Sequence, residues 1–363
     1  MKRYPLHRPV LGLEEAHAVA AVLESGHLVA GKYVAELEKA LAQRCGTEHA
    51  VTVSSGTAAL HASCTARGVA VGDGVVVPAF GYPATANAVE LCGGRAQAAD
   101  VSPDTFSLTA QTVLAAADST TVGVLAVHPF GIPAPLDELA AVCESRGWWL
   151  IEDAACALGT TRTKWARFPA CLSFHPRKTL TTAEGGAVVT NDADFAATIR
   201  ILRNQGVDPR RKGWQRFVTA GFNYRLSDVH AAIGVVQMNR LDEIIARRRQ
   251  VVAWYREHLA GVDGVRWPSG YQQEGLSMQS LVIELLEQPR DAEIARLRSR
   301  GIETTIGGYA TFEQPYFVAK YGRPSKGALA VSHRLAQRCL TLPVTHDMEE
   351  SDVRAVTKAL ADD

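Results

Sequence analysis

Residues 148–190 read WWLIEDAACALGTTRTKWARFPACLSFHPRKTLTTAEGGAVVT, and this stretch decides the fold. An apolar strand, WWLIED, ends on two carboxylates, Glu152 and Asp153. A shorter strand, ACLSF, is followed by a proline and then by Lys178, which sits among Ser, Thr and Gly instead of on a solvated helix face. A further apolar run, GGAVVT, closes the segment. Unbroken apolar strands of this kind are buried on both faces and belong to parallel sheets under helices, with ligands at the strands' C-terminal edges.

The same rhythm extends toward the N terminus. HAVTV, GVVVP, RAQAADV and TVGVLAV read as strands, and TAALHASCTARG, ATANAVELCGG, residues 110–117 and PLDELAAVCESRG as the helices between them. Two helices over residues 13–46 precede them. The class is α/β, a mostly parallel central sheet covered by helices. After DADFAATIRILRNQG come a basic, aromatic loop, DPRRKGWQRFVTAGFNYRL, and one long helical pattern that looks like a connector. Past Val262 the alternation gives way to segments such as SLVIEL and LTLPV, which fit a smaller α+β domain. The expected division is a large domain, 1–240, and a small C-terminal one, 241–363. The run Arg247, Arg248, Arg249 reads as a solvated helix face.

Lysine plus arginine equal aspartate plus glutamate at 38 each, so no overall field favours nucleic acid or an anionic membrane. Seven cysteines, an odd number without any CxxC pair, argue for a reducing compartment and against a zinc site; no metal is expected. The first residues lack the apolar run of a signal peptide, and no stretch is apolar enough to span a membrane. A cytoplasmic location is the default expectation.

Three places could carry chemistry. In VTVSSGTAALHA a strand meets a helix at Ser54, Ser55 and Gly56, so unpaired amides and the helix dipole face a phosphate, unless the turn is only a helix cap. Asp153 stands at a strand end where a cationic partner would keep it ionised, or else it caps a helix. Lys178 suits a partly desolvated, nucleophilic amine, or is a loop lysine at the surface. A phosphate cup, a carboxylate and a lysine in that order all answer to one cofactor.

Together with PAFGYPATANAVE, DVSPDTFSLT, VHPFG, LRNQG and GFNYRLSDVHAAIG, these segments resemble the DegT/DnrJ/EryC1/StrS family of sugar aminotransferases from about Leu13 to the C terminus. The resemblance implies the fold-type I architecture of pyridoxal-phosphate-dependent transferases, with Lys178 holding pyridoxal 5'-phosphate as a Schiff base and Asp153 facing its pyridine nitrogen. It further implies that Gly56, Thr57 and Ser173 bind the cofactor phosphate and that Tyr82 lies against its ring, although a core role for Tyr82 is equally open. Asn223 would reach the cofactor of a neighbouring subunit, making the enzyme a homodimer. His128 and Glu184 are recurrent family positions without an assigned step.

Two departures stand out. Cys156 occupies a position near the cofactor's phenolic oxygen where the family often has Gln or His, and a thiol bonds only weakly. The segment 159–172 is poor in glycine and carries Arg162, Lys164 and Arg167. The implied reaction moves an amino group from glutamate or glutamine to a keto sugar, nucleotide-linked, or to a cyclitol ketone, in amino-sugar or secondary-metabolite biosynthesis; the segments near Arg162 and Arg211 would meet a diphosphate. The alternatives are a sugar dehydratase of the same fold, which Lys178 opposes, a non-catalytic regulator or sensor, and a nicotinamide dehydrogenase, for which no GxGxxG follows the first strand.

Overall fold

The computed structural model describes residues 2–161, 167–208, 210, 214–325 and 327–361. Its strands are β1 (His49–Val53), β2 (Gly74–Pro78), β3 (Phe80–Gly81), β4 (Arg95–Ala99), β5 (Thr121–Val127), β6 (Trp149–Asp153), β7 (Ala170–Ser173), β8 (Gly186–Thr190), β9 (Val265–Arg266), β10 (Leu281–Leu285), β11 (Thr305–Ile306), β12 (Tyr309–Ala310) and β13 (Cys339–Leu342). Seven of them form one sheet in the order β1-β8-β7-β6-β5-β2-β4. Only β8 runs antiparallel to its neighbours; β7, β6, β5, β2 and β4 are mutually parallel. Apolar side chains bury both faces, as in GVVVP, every residue of which is buried. The fold is therefore α/β with a mostly parallel central sheet, the class that the sequence predicts.

A second sheet, β11-β13-β10-β9, is wholly antiparallel. A two-stranded pairing of β3 with β12 joins the two halves of the chain, setting Gly81 opposite Tyr309. The helix Asp228–His258 is the connector: Leu241 and Ile245 lie in the core beside β7 and β8, while Val251, Val252 and Tyr255 lie in the core beneath the second sheet.

That burial overturns one expectation. Arg247, Arg248 and Arg249 do not form a solvated face; Arg248 is 4% exposed. The free face of this helix runs through Asn239, Asp242, Glu243, Ala246, Gln250, Ala253 and Arg256; the three arginines stand beside it, and their guanidinium groups reach backbone carbonyls of adjoining loops: Arg247 those of His346 and Met348, Arg248 those of Met278 and Gln279, Arg249 those of Leu276 and Gly275. Carbonyls freed in irregular backbone need donors, and arginine supplies several from one stem.

Candidate active site

Residues following β1, β3, β5, β6 and β7 open on one cavity of about 860 Å³, whose remaining wall comes from the N-terminal segment and the second sheet. Gly56, Thr57, Tyr82, Asp153, Cys156, Ser173 and Lys178 all line it. Asn223 does not; it is exposed, in a loop bridged to Asn204.

The turn after β1 is built by close approach. A Cβ on Gly56 would lie 2.7 Å from the Cβ of Ser173, and one on Gly186 would lie 2.6 Å from the carbonyl carbon of Ser55. Hydrogen in both places lets the start of the helix Gly56–Ala66 press against β7 and β8. Ser55 caps that helix, its hydroxyl accepting from the Ala58 amide at 3.0 Å. The cap and the phosphate cup are thus compatible, since the amides of Gly56 and Thr57 precede any intrahelical acceptor and remain for an anion. Substituting Gly56→Ala should cost about 1–3 kcal/mol of stability through overpacking; a lowered melting temperature and weaker cofactor retention on dialysis would register it.

Successive residues of β6 point to opposite sides. Glu152 turns inward and meets His128, both fully buried, Nε2 to Oε2 at 2.8 Å. The amide of Ala134 donates to Nδ1 of His128 at 2.8 Å, so Nε2 carries the proton and donates to Glu152. His128 is thus a neutral strut beneath the site, and its own amide donates to the Asp153 carbonyl at 3.0 Å. Glu184 also lines the cavity, exposed.

Asp153 faces the cavity and is 6% exposed. Thr85 Oγ1 donates to its Oδ2 at 2.6 Å, and the Ala155 amide donates to Oδ1 at 3.2 Å. Among the described residues, no lysine, arginine or histidine forms an ion pair with it. Two neutral donors orient the carboxylate but leave its charge for a cationic ligand. The sequence reading missed Thr85, which lies on the helix Ala84–Leu91, far from Asp153 in the chain. Thr85→Val should lower the transamination rate about tenfold, the worth of one charge-assisted hydrogen bond, as single-turnover kinetics would report.

Lys178 follows β7 through the turn that Pro176 begins, its amide donating to the His175 carbonyl at 2.8 Å. Its Nζ donates to Cys156 Sγ at 3.1 Å. Tyr82 is 75% exposed, edge-on to Tyr309 with ring centroids 6.3 Å apart, so it is not a core residue. Arg167 pairs with Asp137 and Glu144 on the helix Leu136–Arg146, and does not line the cavity. Arg162, Lys164 and Arg211 lie outside the described residues. Among those described, no cluster of side chains suits a metal ion, and no helix is long and apolar enough to cross a membrane.

Residues 9–361 match the DegT/DnrJ/EryC1/StrS aminotransferase family. The chain belongs to that family. It is 35% identical over 338 residues to the GDP-perosamine synthase of Caulobacter vibrioides, covering 91% of this chain and 90% of that protein. It superposes on DesV of S. venezuelae with a TM-score of 0.91 at 30% identity, covering 99% of this chain and 98% of that one. The aminotransferase TlmJ of Streptoalloteichus hindustanus gives a TM-score of 0.90 at 32% identity, with the same coverage. The protein is a pyridoxal-phosphate-dependent aminotransferase. The residues present suit that group: an amide-lined cup that glycine alone permits, a hydroxyl at Ser173 beside it, and a buried carboxylate without a cationic partner among the described residues.

Proposed function

We propose that this enzyme transfers an amino group from glutamate or glutamine to a keto sugar, nucleotide-linked, or to a cyclitol ketone. The observation that carries the reading is the convergence of Lys178, the uncompensated carboxylate of Asp153 and the cup at Gly56 on one cavity. The 35% identical relative is named for a GDP-linked product, which supports the nucleotide-linked acceptor.

When bound, the cofactor supplies an electron-accepting ring that makes the donor's α-proton removable. Gly56 and Thr57 amides and the Ser173 hydroxyl would hold its phosphate. Asp153 would keep a cationic nitrogen protonated, with Thr85 holding Asp153 in place. Tyr82 would lie against the ring, and Cys156 near a phenolic oxygen. Lys178 Nζ would first hold the cofactor; freed by the donor's amine, it would take the proton from the donor's α-carbon and, in the half-reaction with the ketone, deliver a proton to the carbon that receives the amine.

Asn223 completes the phosphate site of a neighbouring copy, in a homodimer. Its exposure and the exposed Trp214 and Phe217 of the same loop support this, since large apolar side chains clustered on a surface mark an interface. We assign residues 1–240 to cofactor binding and 241–363 to the small domain, and place the enzyme in the cytoplasm.

The decisive experiment is the absorption spectrum of the purified protein with pyridoxal phosphate, before and after borohydride, with peptide mapping. Reduction should fix the cofactor to the peptide bearing Lys178, and glutamate or glutamine should convert the unreduced spectrum to the amine form. A label on another lysine, or no conversion by either amino acid, would overturn the reading. Assay of keto-sugar nucleotides and cyclitol ketones against the amine form then identifies the acceptor.

A further inference from the structure

Arg248 lines the same cavity as Lys178. Its Nε and Nη2 donate to the carbonyls of Met278 and Gln279 at 2.8 and 2.5 Å, both neutral partners. Among the described residues no carboxylate pairs with it; burial lowers the guanidinium to about 10, which leaves it cationic at neutral pH. Two other partly enclosed arginines are compensated, Arg203 by Glu38 and Arg266 by Glu284 and Asp104. A cation taken out of water without a counter-charge is costly, and an arriving anion offsets that cost.

His7 lines the cavity as well. Its Nε2 is buried without a hydrogen-bond partner. The ring is held in place by the segment around it: Tyr4 bridges to Ile302, the Leu6 amide donates to Glu303 at 3.1 Å, the Val344 amide donates to the Leu6 carbonyl at 3.4 Å, and Arg8 pairs with Asp347 at 2.8 Å. An anchored ring with an orphaned nitrogen and an enclosed arginine without a counter-ion therefore share one cavity wall.

We propose that Arg248 and His7 form the carboxylate-binding pole of the active site, taking a carboxylate of the amino donor while its amine meets the cofactor at Lys178. The inference rests on the aminotransferase reading above and adds where the donor is held. A sugar or cyclitol ring offers hydroxyls, whereas every amino-acid donor brings a carboxylate, and the enclosed position of Arg248 suits a small planar anion that it can grip with paired donors. Burial and then the Arg248 charge hold His7 down to about 4, with Arg177 and His175 adding to the effect. The segment around His7 carries Lys2, Arg3 and Arg8, and the carboxylates that meet it are Glu303, Asp347 and Asp352. A carboxylate on Arg248 cancels that arginine's effect and sets its own negative charge beside the ring, which offsets the cost of burial, so His7 takes up a proton at Nε2 and donates it to the same anion.

Glutarate, a dicarboxylate without an amine, tests this by titration calorimetry into the cofactor-loaded enzyme near neutral pH, in two buffers of different ionisation enthalpy. Binding with net proton uptake is expected. Arg248→Lys should weaken it about 10- to 100-fold and His7→Ala about fivefold, as befits charge-assisted hydrogen bonds, and His7→Ala should also abolish the proton uptake. In the separated half-reactions both variants should raise KM for the donor and leave KM for the ketone unchanged. Because Arg248 also holds two loop carbonyls, His7→Ala decides the matter if Arg248→Lys does not fold. Equal glutarate affinity in wild type and His7→Ala, or a rise in the ketone's KM instead of the donor's, overturns the proposal. So does failure of glutarate to bind while glutamate or glutamine still converts the cofactor spectrum, and the aminotransferase reading then stands. If neither amino acid converts the spectrum, that reading fails and this one with it.

Discussion

Lys178→Ala should abolish transamination, by about four orders of magnitude or more, since one substitution removes both the covalent anchor and the general base. The loss should be of chemistry and not of fold. Lys178 is only partly buried, and its Nζ makes one hydrogen bond, to a thiol. The cup at Gly56 and the carboxylate of Asp153 remain, so the variant should still take up pyridoxal phosphate, now removable by dialysis and not fixed by borohydride. Lys178→Arg should be equally inactive, because a guanidinium keeps the charge but stays protonated and cannot attack. Single-turnover kinetics with glutamate, alongside peptide mapping after reduction, separates these effects. Residual activity within a hundredfold of wild type would remove Lys178 from its assigned place.

The site was legible in the sequence to the extent that strands announce themselves. Apolar runs such as GVVVP and WLIED carry the period of buried strands, and the residues just past them must lie at one edge of a parallel sheet. Gly56, Asp153, Ser173 and Lys178 could therefore be placed on that edge without coordinates. Thr85 could not, because its bond to Asp153 depends on how a separate helix packs across the sheet, which no local pattern encodes. Arg248 was misread for a related reason: a charge run does not say which way each side chain turns, and the free face of this helix passes through Asp242, Glu243, Ala246 and Gln250, beside the run and not through it. His7 gave no signal at all, since the irregular backbone around it is positioned by distant partners such as Ile302 and Glu303. The antiparallel sense of β8 was equally silent, as GGAVVT is apolar whichever way it runs.

Asp153→Asn isolates charge from shape. The amide fills the same volume in a site only 6% exposed, and its oxygen can still accept from Thr85. What disappears is the negative charge that balances a protonated ring nitrogen, and with it the stabilisation of charge built up as the donor's α-proton leaves. Enclosed, preoriented charges of this kind are worth about 10²- to 10³-fold in rate, so the half-reaction with glutamate should slow by about that factor while the phosphate cup retains the cofactor. Deuterium at the donor's α-carbon should then give a larger isotope effect than in wild type, because proton transfer has become the slow step. Thr85→Val, which acts through Asp153, should add little to Asp153→Asn when the two are combined, since residues acting through one group are not additive. An asparagine variant within a few-fold of wild type, with an unchanged isotope effect, would show that the buried carboxylate serves the local backbone, through the Ala155 amide, and not the reaction.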